Sequence, residues 1–151
     1  MINKTILIAT CYLLSAICLH AQTADQIETL LQTRAVTYEQ AANFVFEAAE
    51  INEIEVPFIY ARLQNWLPKN APPNGQINLQ EVSLLIMQAF NMNGGPMYRW
   101  TKSAHYAYRE MAYQNIIQGR VDPGMTVSGE MLLFLVNRVL YRLDENPWEL
   151  E

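Results

Sequence analysis

Few side chains in this chain could do covalent chemistry. Its two cysteines are Cys11 and Cys18 and its two histidines are His20 and His105, so three of these four groups fall in the first 20 residues. If that stretch is removed, as argued below, thiol–imidazole catalysis is excluded and a serine nucleophile could use only His105 as its base. His105 stands in Lys102-Ser103-Ala104-His105-Tyr106 at a helix start, where a surface imidazole is expected. One histidine without thiols cannot build a typical structural zinc site. Asp122, in Asp122-Pro123-Gly124, is a lone carboxylate and not part of a calcium loop. A hydrolase would have to use carboxylates such as Glu47, Glu110 or Asp122. The densest run, Glu47, Glu50, Glu53 and Glu55, reads as a solvated face and not as an acid–base pair across a cleft. Gly94-Gly95 precedes a proline and no phosphate-cradling helix, so it reads as a helix stop. The expectation is a non-enzyme with no cofactor and no metal.

Binding chemistry is better supplied. Tyr98 and Trp100 follow the Gly-Gly-Pro stop, where a ring with a polar edge suits a sugar or a protein surface. Arg62, Arg109 and Arg120 lie in or near loops and short helices. These five residues, Arg62, Tyr98, Trp100, Arg109 and Arg120, are the expected ligand-contacting set. Trp66, Tyr108 and Tyr113 are expected to fill a core, Trp66 because it aligns with Ile116 in the register described next.

Residues 58–90 and 108–140 can be laid over one another at an offset of 50 residues without a gap. Gln64-Asn65-Trp66-Leu67 falls on Gln114-Asn115-Ile116-Ile117, Ile77-Asn78 on Val127-Ser128, and Leu84-Leu85-Ile86 on Phe134-Leu135-Val136. Such spacing implies one helix–loop–helix element used repeatedly. Three units follow, at about 25–50, 53–92 and 103–143. Each opens with a short helix: 25–32, 53–65 and 106–117, the last ended by Gly119. Each then passes through a loop to an apolar residue (Val36, Ile77, Val127), a cap (Thr37, Asn78, Ser128) and a long apolar helix. Thr37 with Gln40 and Asn78 with Glu81 form capping boxes; Met131 spoils the third, although Glu130 suits the helix dipole. Pro57 is tolerated in the first turn of its helix, and 97–102 is a short linking helix. No strand is expected.

Residues 1–21 have the pattern of a cleaved secretory signal: Lys4, an apolar run from Ile6 to Leu19, then Ala21 before a polar stretch. The run is short of the about 20 residues that cross a bilayer, and no second such run follows. Ile17 before Cys18 argues against a lipidated cysteine. The mature chain, 22 onward, would have no disulfide; at about 130 residues it is long enough for one domain, whose hydrophobic core alone would hold it together outside the inner membrane. The whole chain carries a net charge of −5. Loss of Lys4 makes it more negative, which disfavours nucleic acid and anionic lipid as partners. Residues 144–151 read as an acidic tail whose Trp148 folds back on the body.

The third unit, from Tyr106 to Leu140, resembles a surface-layer homology motif: an aromatic-led helix, an Ile-Ile-x-Gly end, an Asp-Pro loop, and a capped helix rich in leucine. The second unit is similar, and the first has a shortened loop. The resemblance implies an all-α, compact helical bundle of three such repeats after the signal peptide, with the capped helices in the middle. It also implies an exported, non-catalytic envelope module that grips a cell-wall glycan, in the periplasm or at the cell surface. The arginine of the family's helix start would fall at Tyr38, Leu79 and Gly129, none of which is basic. A periplasmic adaptor that docks an envelope protein through the aromatic linker is the alternative.

Overall fold

The structure is a computed structural model that describes residues 27–145, and the expected signal and Trp148 lie outside the described residues. Helical backbone covers 27–32 (α1), Tyr38–Ala48 (α2), Pro57–Leu63 (α3), Leu79–Ala89 (α4), Pro96–Thr101 (α5), Ala104–Tyr113 (α6) and Gly129–Glu145 (α7). The described residues contain no strand, only isolated bridges at Thr37–Gln76 and Asn78–Thr126. The all-α expectation holds. None of these helices is long and apolar enough to cross a membrane.

The long helices α2, α4 and α7 begin in one way. The amides at their third helical position, those of Gln40, Glu81 and Met131, donate to Thr37 Oγ1, Asn78 Oδ1 and Ser128 Oγ at 3.2, 3.0 and 3.2 Å. Both expected capping boxes close, with Gln40 and Glu81 side chains accepting from the cap amides. A cap satisfies only some of a helix's four orphan donors. The first N–H of each long helix finds a carbonyl in the loop of another unit: Tyr38 donates to Gly75, Leu79 to Met125 and Gly129 to Thr33, each at 2.9 Å. Glu39 and Gln80 likewise donate to Pro73 and Pro123.

Those bonds run in a cycle, from the first unit to the second, the second to the third, and the third back to the first. At its centre the three apolar lead-in residues close a second ring. The Val36 amide donates to Val127, Val127 to Ile77 and Ile77 to Val36, at 2.8, 3.2 and 3.0 Å. All three are fully buried, so each bond prevents the larger cost of an orphaned polar group in the core.

Packing is also interlocked. α3 leans on α2 and α6 on α4, so a unit's short helix packs on the long helix of the unit before it. α1 completes the pattern at the start of α7. A Cβ added to Gly129 would lie 1.6 Å from the Leu30 carbonyl oxygen, so backbone meets backbone there. α2 touches both α4 and α7. The buried side chains from Leu30 to Val139 form one cluster.

Several boundaries differ from expectation. Residues 53–56 are not helical, because Pro57 is itself the first helical residue and has no N–H to continue a helix from upstream. α6 starts earlier, with Ser103 Oγ accepting from the Tyr106 amide, and ends before 117. It stops at Asn115 (φ 59°), not Gly119, because Ile116 N–H bonds back to Met111 O in a Schellman turn. Glu50, Asn65 and Asn91 close α2, α3 and α4 with the same pair of bonds, so α4 ends ahead of Gly94-Gly95. α7 runs to Glu145, two residues into the expected tail.

Candidate functional site

The corner made by α5 and α6 brings the exposed rings of Trp100 and Tyr113 near the charged Arg109 and Glu110. α5 follows Gly94-Gly95-Pro96, and the two glycines are there for closeness. A Cβ on Gly94 would stand 2.4 Å from the Tyr98 ring, and one on Gly95 would stand 2.6 Å from the Glu110 carboxylate. Ring and carboxylate thus press on bare backbone, which lets α5 fold back against α6.

Tyr98 is fully buried, contrary to its expected role as an exposed contact. Helical spacing turns it inward while Met97 and Trp100 face out. Its hydroxyl accepts from Gln88 Nε2 at 2.7 Å, and the Lys102 ammonium lies 5.0 Å from its ring centroid. Burial pushes its phenol up to about 12, with the Glu110 charge adding to the rise and the Gln88 bond opposing it. Trp100 is 85 % exposed, as expected of a contact residue.

Beside α5 lies a cavity of about 220 Å3 lined by Met97, Tyr106, Arg109, Glu110 and Tyr113 against Gly95 and Pro96. Tyr113 is 85 % exposed and not in the core: α6 packs on α4 through Ala107 and Met111, which leaves Tyr113 on the far side. An exposed ring flanked by a guanidinium and a carboxylate offers an apolar face, charged donors and charged acceptors to one ligand.

The five expected residues are not gathered in one place. Arg109 joins the α5–α6 cavity and Trp100 sits on the adjoining helix. Arg62 stacks over Phe58 on α3, its guanidinium 5.3 Å from the ring centroid, and Arg120 is exposed in the loop before α7. Trp66 is half-buried in a three-ring cluster with Phe46 and Tyr60, at centroid distances of 5.7 and 5.6 Å. Tyr108 is also half-buried, its hydroxyl donating to Val121 O at 2.5 Å.

Other titratable groups have structural or solvated settings. Glu47, Glu50, Glu53 and Glu55 are exposed. Asp122 Oδ1 accepts from the Gly124 amide at 2.8 Å and shapes the loop. His105 is exposed and meets Tyr106 edge-on at 5.3 Å. Among the described residues no group of three or more His, Cys, Asp or Glu is placed to hold a metal ion.

Arg138 was missed in the sequence reading. It donates to Ile116 O at 2.8 Å and Gln118 Oε1 at 3.0 Å, and so ties α7 to the end of α6 at the wall of an open groove. Its signal was its place on the otherwise apolar side of a long helix. Comparison with family models, with curated proteins and with solved structures found no match for this chain.

Proposed function

We propose that this chain is an exported, non-catalytic envelope module of three surface-layer-homology-like repeats, and that it holds a cell-wall or envelope glycan at the α5–α6 corner. The observation that carries this reading is the cyclic use of one element three times, with matching caps and matching loop carbonyls. The positions of the family's helix-start arginine, Tyr38, Leu79 and Gly129, are all buried. Recognition therefore falls to Arg109, Glu110, Tyr113 and Trp100. Export rests on the signal pattern of residues 1–21.

The test is retention on purified cell-wall material. The wild-type chain should be pelleted with it. Arg109→Ala with Tyr113→Ala should weaken binding at least about tenfold, as expected for loss of a charged hydrogen bond and a stacking ring. An unretained wild-type chain refutes the glycan reading, and a mature N-terminus at Met1 refutes export.

The exposure of Trp100 favours a second reading, an adaptor that docks an envelope protein through α5. A photo-crosslinker at Trp100 that yields one dominant protein adduct in cells would select this reading over the first.

A further inference from the structure

A cavity of about 510 Å3 lies where the turn after α3, the first turn of α4 and the junction between α5 and α6 meet. Glu81 brings a carboxylate to it that the fold does not require. The same repeat position is Gln40 in α2, which closes an identical capping box, and Met131 in α7, whose amide still reaches its cap. Glu81 Oε2 accepts from the Asn78 amide at 3.2 Å and from the Tyr38 hydroxyl at 2.8 Å. Its other oxygen, Oε1, has no hydrogen-bond partner among the described residues.

The α5–α6 junction adds the opposite sign to the same lining, with Lys102 and His105. Lys102 ends α5 with a left-handed φ of 48°, where glycine or asparagine is the usual residue. Its ammonium meets the Tyr98 ring and His105 meets Tyr106. Glu81 and Lys102 therefore line one cavity without forming an ion pair with each other. The side-chain amides of Asn65 and Gln80 also line it and form no hydrogen bond with another described residue. Half-buried Trp66 and buried Leu84 supply apolar surface.

We propose that this cavity binds a short zwitterionic peptide of about two or three residues, whose ammonium group meets Glu81 and whose carboxylate meets Lys102 and His105. A simple anion would be repelled by Glu81 and a simple cation by Lys102, whereas a ligand carrying both charges satisfies both. Each side-chain amide offers a donor and an acceptor, the complement of a peptide group, and Trp66 offers a ring face to a ligand side chain. The volume falls within the range of about 300–1,000 Å3 usual for small-ligand sites. This cavity shares no lining residue with the one beside α5 and α6, so the inference holds whether or not that corner binds glycan.

Calorimetric titration of the full chain with trialanine tests it, beside N-acetyl-trialanine, which lacks the ammonium group, and trialanine amide, which lacks the carboxylate. Trialanine should bind with a Kd below about 1 mM, and each blocked peptide at least about tenfold more weakly. Glu81→Gln and Lys102→Asn should each weaken trialanine binding to a similar degree. Both variants should keep the parent melting temperature within about 3 °C, since glutamine closes the same box in α2 and asparagine tolerates a left-handed cap. No binding of trialanine at about 10 mM would overturn the proposal. Equal binding of the blocked peptides, or unchanged affinity in both variants, would overturn it as well. Tighter binding of a neutral disaccharide than of trialanine would overturn it in favour of a sugar.

Discussion

Replacing Gly129 by alanine should unfold the start of α7 from the end of α1, although helix propensity alone argues the opposite. Alanine is preferred to glycine by about 1 kcal/mol inside a helix, so an isolated α7 would gain. In the folded chain the new Cβ would lie 1.6 Å from Leu30 O, 2.5 Å from Leu30 C and 3.1 Å from Leu30 Cγ, and the two backbones must part by more than an ångström. Overpacking of this kind costs about 1–3 kcal/mol. The separation also breaks the 2.9 Å bond from the Gly129 amide to Thr33 O, at about 1 kcal/mol or more for a buried donor. Against the helix gain, the net loss is about 1–3 kcal/mol, which for a domain of this size lowers Tm by about 4–12 °C. Gly124→Ala is the control, because its Cβ would meet only Asp122 Oδ1 at an ordinary 3.4 Å. Thermal melts by far-UV circular dichroism read the difference, and limited trypsin digestion at exposed Arg34 reports whether α1 has come away. A Gly129→Ala protein that melts at or above the parent temperature, with Arg34 cut no faster than in the parent, would refute the backbone contact and the closure of the cycle through α1.

Glu50 holds a left-handed φ of 57° at an exposed helix end, so Glu50→Gly should stabilise the fold by about 1 kcal/mol, seen as a higher urea midpoint. The Val36, Ile77 and Val127 amides should exchange with solvent only on global unfolding, giving protection equal to the total stability; faster exchange at any one would mean that the ring opens locally. Tyr98 makes stability fall at high pH. Its folded pKa, about 12, is raised above the ordinary value of 10.0, so the folded state keeps a proton that the unfolded chain loses. That contribution is intact below pH 10 and is lost as pH rises towards 12. Tyr38, raised by burial and by donating to Glu81, acts in the same direction. Tyr98→Phe should therefore flatten, without abolishing, the decline of the urea midpoint between pH 10 and 12; an unchanged slope would count against burial of the phenol.

Legibility followed the range of the interaction. Thr37, Asn78 and Ser128 were readable as caps because a cap bonds an amide three residues away, and the helices after them carried their apolar stripes openly. The Schellman ends at Asn65, Asn91 and Asn115 are equally local but less legible, because a left-handed asparagine is a weaker stop signal than the glycines at 94, 95 and 119. At the candidate site, Trp100 and Arg109 are exposed whereas Tyr98 is buried, since only two positions along a short helix separate an inward ring from an outward one. Tyr113 failed for the converse reason: its apolar ring suits a core, but among the described residues no element covers it, and it stands 85 % exposed at the rim of the α5–α6 cavity.

Residue order alone therefore settles where the three long helices start, that the described residues are all-α, and that one element recurs, since these depend on bonds within a few residues and on periodic apolar side chains. It leaves open the cyclic exchange of backbone bonds, the packing of each short helix on the preceding unit's long one, and the closeness of Gly129 to Leu30. Those depend on carbonyls and backbones brought together from units about 40 to 100 residues apart, where neither spacing nor side-chain type records a partner. Burial behaves the same way, because a ring is hidden or exposed according to what lies over it, and that covering element is supplied by the assembled fold.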